Sequence, residues 1–171
     1  MLVLPFLYVI LVEKKDLAWL GFRTQHVQTS ICQGLLTTLF LMGVYYPIFL
    51  HYSPTLSGRF PSLYDVFTDV VWYPVYEEVA YRSFLLVHFA RADDSPLSRR
   101  NLTVNLIQSS LFLFVHKHHV AQGTPLILIP VLLLALLNGY VFLKTRNISG
   151  CLLSHSAVNG FALLLHLFSS Q

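Results

Sequence analysis

Charge is what this sequence has least of: Asp, Glu, Lys and Arg make up 11% of its 171 residues. A soluble domain usually carries about 25%, and the apolar share here is 55%. The deficit points to a bilayer. Cysteine is scarce as well. Cys32 and Cys151 lie in or beside apolar runs, so they read as buried free thiols and exclude a disulfide framework. The net charge of +3 is loop charge that sets topology; it excludes a nucleic-acid patch. Residues 1–12 are apolar but lack a basic leader before them and a small-residue cleavage site after them, which argues against a signal peptide. That stretch is also shorter than the roughly 20 residues a span needs, so a short anchor or the end of a helix is expected. There is no internal repeat, and no sustained alternation of the kind a membrane β-barrel requires.

What is present is a series of apolar runs of helical length. Residues 31–50, 125–143 and 151–168 are predicted to be membrane helices. Residues 62–90 form a longer segment with an expected break at Pro74, an interfacial first part with Asp65 and Asp69, and an acidic second part. Residues 102–116 are apolar and end in a histidine cluster. A polar connector at 51–61, a charged loop at 91–100 and a turn at 144–150 join these runs. The predicted fold is all-α: one domain over 1–171, a polytopic transmembrane bundle around a polar cavity. Loops 13–30, 91–101 and 144–149 hold Lys14, Lys15, Arg23, Arg91, Arg99, Arg100, Lys144 and Arg146, eight of the eleven basic residues. They belong on one side, expected to be cytoplasmic, with Arg59 and Lys117 opposite. Sequons at Asn101 and Asn147 then fall on the cytoplasmic side and should stay unmodified.

The intramembrane polar groups carry the functional signal. A charge near the bilayer centre costs roughly 2.5–3.5 kcal/mol on insertion scales. Glu78 and Arg82 are four apart and can pair on one helix face. Glu77 points about 100° away and must seek a partner on another helix. His116 is followed by His118 and His119. His155 and Asn159 are four apart on one face. A lone buried histidine is usually a satisfied core residue, and an asparagine in a membrane helix is often interhelical glue. Three separate runs each bringing acid, base or amide groups inward is a different matter. A carboxylate or histidine serves as general base, and Asn or His donates to an oxyanion. A serine route lacks a G-x-S-x-G elbow. The Cys151–His155 spacing allows a thiolate pair, but a buried thiol is inert. There is no H-E-x-x-H. Glu77, His116 and His155 would equally make three zinc ligands with an open position, and the His116–His119 cluster could bind metal alone. These readings stay open.

Glu77-Glu78-x-x-x-Arg82, Phe112-x-x-x-His116 and His155-x-x-x-Asn159, in that order, resemble the CAAX protease and bacteriocin-processing family of intramembrane endopeptidases. The similarity is greatest to its eukaryotic branch, the type II CAAX prenyl endopeptidases. His116-Lys117-His118-His119, the run 139–146 leading into Leu153-Ser154-His155-Ser156, and Leu20-Gly21-Phe22-Arg23 upstream add to it. It covers roughly residues 17–165, with a motif core at about 62–168. The resemblance implies a multi-pass protein of the endoplasmic reticulum membrane. It would remove the last three residues of farnesylated or geranylgeranylated CAAX proteins such as Ras-like small GTPases, with no cofactor needed. Glu77 and His155 would activate water, His116 and Asn159 would hold the oxyanion, and Glu78 and Arg82 would orient the site. A silent membrane scaffold or binder of the same fold, and a general metal-dependent membrane protease, are the competing readings. Eukaryotic members usually have further N-terminal membrane helices, so a truncated or minimal form is expected.

Overall fold

The computed structural model describes residues 3–52 and 61–169. Arg59 and most of the 51–61 connector lie outside them. Among the described residues every regular element is helical. Helix α1 (Val3–Leu7) continues as a π-helical turn to Val12, so the short apolar start is helical and packs against other helices. Helix α2 is Val27–Tyr52. Helix α3 runs over 63–89, alternating α and π turns without interruption. Helix α4 is Arg99–Val115, α5 is the short His118–Ala121, α6 is Leu128–Thr145 and α7 is Ser149–Ser169. Helical stretches Val27–Tyr52, Pro125–Thr145 and Ser149–Phe168 are long and apolar enough to cross a membrane. The protein is an all-α membrane bundle.

The elements begin where local chemistry starts them. Ser62 and Asp65 form a reciprocal capping box: the Ser62 hydroxyl accepts from Asp65 N (3.2 Å) and Asp65 Oδ2 accepts from Ser62 N (2.8 Å). Asp65 thus satisfies orphan amides of the first turn. Ser98 caps α4 through Asn101 N, which starts that helix before the predicted Leu102. The expected break at Pro74 does not occur. Proline donates no backbone hydrogen bond, and the wide turn Thr68–Trp72 shifts the ladder there, with Tyr73 N bonding Thr68 O.

The bundle buries many polar side chains beside its apolar core and turns apolar ones outward. On α4, Asn105, Gln108 and Ser109 are buried, while Leu106, Ile107, Leu111 and Phe114 are exposed. Asn105 Nδ2 donates to Leu136 O (3.0 Å) and Gln108 Nε2 to Ala135 O (3.1 Å), tying α4 to α6. Leu35, Leu36, Leu39 and Phe40 face outward from α2.

The basic loops gather at one end, as their charge pattern predicts. Asn147 Nδ2 donates to Arg23 O (2.6 Å) and Gln25 O (3.0 Å), and Ile148 N to Gly21 O (3.1 Å). Asn101 Nδ2 donates to Arg91 O and Ser95 O, both at 3.0 Å. The two sequon asparagines are therefore buried loop clamps, inaccessible to a glycan in the folded protein.

Nearby, α2 and α7 meet backbone to backbone. Gly150 N donates to Ser30 Oγ (2.9 Å), and a Cβ on Gly34 or Gly150 would collide with backbone of the opposite helix. Only glycine permits that approach. We expect Gly34→Ala and Gly150→Ala each to lower Tm in detergent, since overpacking costs about 1–3 kcal/mol. Gly43→Ala, where a Cβ meets nothing within 4 Å, should leave Tm unchanged. Equal Tm for all three would refute the contact.

Candidate functional site

The site is built outward from Glu78, which is fully buried. Its Oε2 lies 3.2 Å from Arg82 Nε, one turn on. Arg82 is equally buried and sits over the Phe112 ring, 4.8 Å from its centre. Glu78 is held further by two other helices, whereas Arg82 Nη1 and Nη2 have no hydrogen-bond partner among the described residues and rest on the ion pair and the Phe112 ring. Glu78 Oε1 accepts from His155 Nδ1 (2.8 Å) on α7 and from Asn138 Nδ2 (3.2 Å) on α6. Asn138 is itself fixed: its Oδ1 accepts from Ser154 Oγ (2.6 Å), and Nδ2 also donates to Cys151 O (3.2 Å). Reading the sequence did not single out Asn138. The signal was there, an amide in the middle of an apolar span.

Glu77 finds its partners on two other helices. Its Oε2 is 3.5 Å from His155 Nε2, and its Oε1 is 4.0 Å from His116 Nε2. His155 is thus held between adjacent carboxylates of α3. In this part of α3 an α segment, Tyr73–Glu78, runs directly into the π-helical Val79–Leu86; such wide turns recur at functional sites. His116 closes the end of α4, and its ring is fixed by a bond between Nδ1 and the Phe112 carbonyl (2.8 Å) that leaves Nε2 turned toward Glu77.

The bonds at Nδ1 set the tautomers. A carbonyl and a carboxylate only accept, so His116 and His155 each carry a proton on Nδ1. Both Nε2 atoms then face Glu77 either as lone pairs or as the second proton of an imidazolium. Phe112, buried at 1% exposure, packs Arg82, Tyr81, His116 and His155 around one ring.

These side chains line a cavity of about 580 Å³. Its lining combines Glu77, His116, His155 and Asn159 with apolar residues, Leu134 and Val158 among them. Asn159 Nδ2 donates to the Asp69 carbonyl (2.8 Å), which leaves its other N–H uncommitted. His118 and His119 also face the cavity. The Cys151–His155 spacing does not produce a thiol–imidazole pair: Cys151 Sγ donates to Asn138 O (3.2 Å), and His155 turns to the carboxylates. Among the described residues no group of three His, Cys, Asp or Glu side chains is arranged to hold a metal ion.

A family model, type II CAAX prenyl endopeptidase Rce1-like, matches residues 59–161, more than half of the chain. The matched region contains Glu77, Glu78, Arg82, His116, His155 and Asn159. No curated protein and no solved structure matches the chain.

His119 lies in the short helix α5 beyond α4. Burial, then the neighbouring His118 and His116, push its pKa down from 6.5 to about 4. The unfolded chain takes up this proton near pH 6.5, whereas the fold resists it until about pH 4. Stability is therefore full above pH 6.5 and declines as pH falls through that window. We expect Tm in detergent to drop between pH 6.5 and 4, and His119→Gln to flatten the drop. An unchanged profile in the variant would exclude His119 as a contributor.

Proposed function

The chain belongs to the type II CAAX prenyl endopeptidase Rce1-like family, and from that membership we propose that it removes the C-terminal tripeptide of prenylated CAAX proteins within a membrane. The observation that carries the reading is Glu77 facing the Nε2 atoms of both His155 and His116 inside a partly apolar cavity. Its substrates are farnesylated or geranylgeranylated proteins such as Ras-like small GTPases. Its site is the endoplasmic reticulum membrane, with the clustered basic loops cytoplasmic.

Glu77 and His155 activate water. As the water oxygen bonds to the scissile carbonyl carbon, its proton passes to the Glu77 carboxylate, whose Oε2 is 3.5 Å from His155 Nε2. The carbonyl becomes an oxyanion. When the C–N bond breaks, that proton goes to the leaving amine, and the new carboxylic acid, which keeps the second proton of the water until it ionises into solvent, separates from the tripeptide. His116 and Asn159 hold the oxyanion. His116 donates from Nε2 only as an imidazolium, because its Nδ1 proton is committed to Phe112 O. Asn159 donates through the N–H that Asp69 O does not take. Glu78 orients His155 and keeps its Nδ1 proton in place, with Arg82 balancing the charge. The apolar lining around Leu134 and Val158 suits a prenyl chain, each buried methylene of which contributes about 0.8 kcal/mol.

Glu77→Gln should lower the rate of cleavage by roughly 10²–10⁴-fold, the span of general-base catalysis, while the protein still inserts and folds. His155→Ala should match it. The double variant should be little slower than either, since the two act as a unit; multiplicative losses would dismiss the shared role.

The reading is tested by comparing farnesylated, S-alkylated and free-thiol forms of one CAAX peptide in vesicles, with and without a chelator. Cleavage of the farnesylated form alone, untouched by chelator, is expected. Equal cleavage of all three would indicate a general membrane protease. Loss with chelator would make Glu77, His116 and His155 metal ligands. No cleavage at all would favour a silent binder.

A further inference from the structure

A second cavity, of about 310 Å³, opens at the basic end of the bundle between Trp19, Arg23, Ala90, Ala92 and Arg146, with Asp16 on its wall. It is separate from the catalytic groups, and two cations meet in it. Arg23 Nε, Arg146 Nε and Arg146 Nη2 are buried, and none has a hydrogen-bond partner among the described residues. Buried donors of this kind are rare and call for an explanation. Burial and the Arg23 charge both push the Arg146 pKa down, with Asp93 opposing them. Each guanidinium is thus a penalty on the other as the pocket stands.

The backbone holds them there regardless. Arg146 follows α6 in the left-handed region, at φ 51°, a conformation that non-glycine residues adopt at a cost. Its neighbour Asn147 clamps the Arg23 carbonyl at 2.6 Å. The two arginines are therefore fixed side by side by bonds that do not involve their own side chains. Asp16 spends one oxygen on the Trp19 amide (3.1 Å), and neither it nor Asp93 forms an ion pair with either arginine. Preorganised donors of one sign around an open space are what an oxyanion needs, and guanidinium matches phosphate oxygens in forked geometry. The volume is roughly ten times the ~30 Å³ share of a liquid water molecule, ample for a phosphate group.

The level of the pocket narrows the ligand further. It sits where the membrane-length helices begin and end, beside Val27, Thr145 and Ser149. Trp19 lines it with Lys15 over its ring at 3.8 Å, and tryptophan favours the headgroup layer. We propose that Arg23 and Arg146 bind a phosphate group at the basic membrane interface, in the pocket between the 16–23 segment, the end of α3 and the α6–α7 turn.

The phosphate comes either from a lipid headgroup or from solution, and the test separates the two. Tm of the purified full chain in a phosphate-free non-ionic detergent is measured against inorganic phosphate and, separately, against a short-chain phosphatidate, at constant ionic strength. A ligand that binds only the fold raises Tm with concentration. A rise with phosphatidate alone identifies a lipid; a rise with inorganic phosphate as well identifies the free anion as sufficient. Arg23→Gln and Arg146→Gly should each abolish the rise. Glycine takes the left-handed backbone without strain, so Arg146→Gly should fold, with a ligand-free Tm no lower than that of the parent. No rise with either ligand, or a rise that survives in both variants, overturns the site.

Discussion

The site hangs on the burial of Glu78. A carboxylate with no exposed surface is tolerable only when it is paired and hydrogen-bonded, and α3 alone supplies the ion pair, through Arg82. The hydrogen bonds come from α6 and α7, through Asn138 and His155. Three helices are thereby referenced to one pair of oxygen atoms. In lipid, where apolar side chains gain little by meeting one another, such polar contacts and close backbone approaches are what fix helix positions. Glu77 then inherits its placement from its neighbour: once Glu78 holds His155 Nδ1, the opposite edge of that ring has to face Glu77.

The division of labour between the adjacent glutamates follows from exposure. Glu78 is sealed and its oxygens are occupied; Glu77 keeps 16% of its side chain exposed to the cavity. One carboxylate is committed to its neighbours, and the other is presented to the cavity. The same contrast separates the histidines' two nitrogens. Each Nδ1 is engaged, and each Nε2 is presented.

Much of this was legible from spacing. The pairing of Glu78 with Arg82 follows from four residues on a helix, and the outward search of Glu77 follows from its 100° offset. The helices themselves follow from apolar length, though the cap at Ser98 starts α4 earlier than its apolar run does. Two things were not legible. The aim of His116 was hidden because a span gives only the position of its Cα, while the ring is turned by a bond to its own helix. Asn138 was hidden because its importance lies entirely in partners 13 to 60 residues away. The uninterrupted α3 across Pro74 belongs with these, since sequence marks the proline but not the wide turn that accommodates it. Asn101 and Asn147 show the reverse case, where a pattern readable as a modification signal turned out to describe two buried clamps.

The contact between α2 and α7 has a geometric consequence. At Gly34 and Gly150 the two backbones touch, while further along the same helices Tyr45 faces Phe161 and Phe49 faces His166 across ring separations of 6.4 and 5.4 Å. Small residues close the pair at one end and aromatic pairs space it at the other, and α2 reaches the lining of the large cavity through Tyr45. On that side the hollow is walled by a side chain set against Phe161, so its width there depends on the ring at position 45 and not on the backbone contact at Gly34 and Gly150.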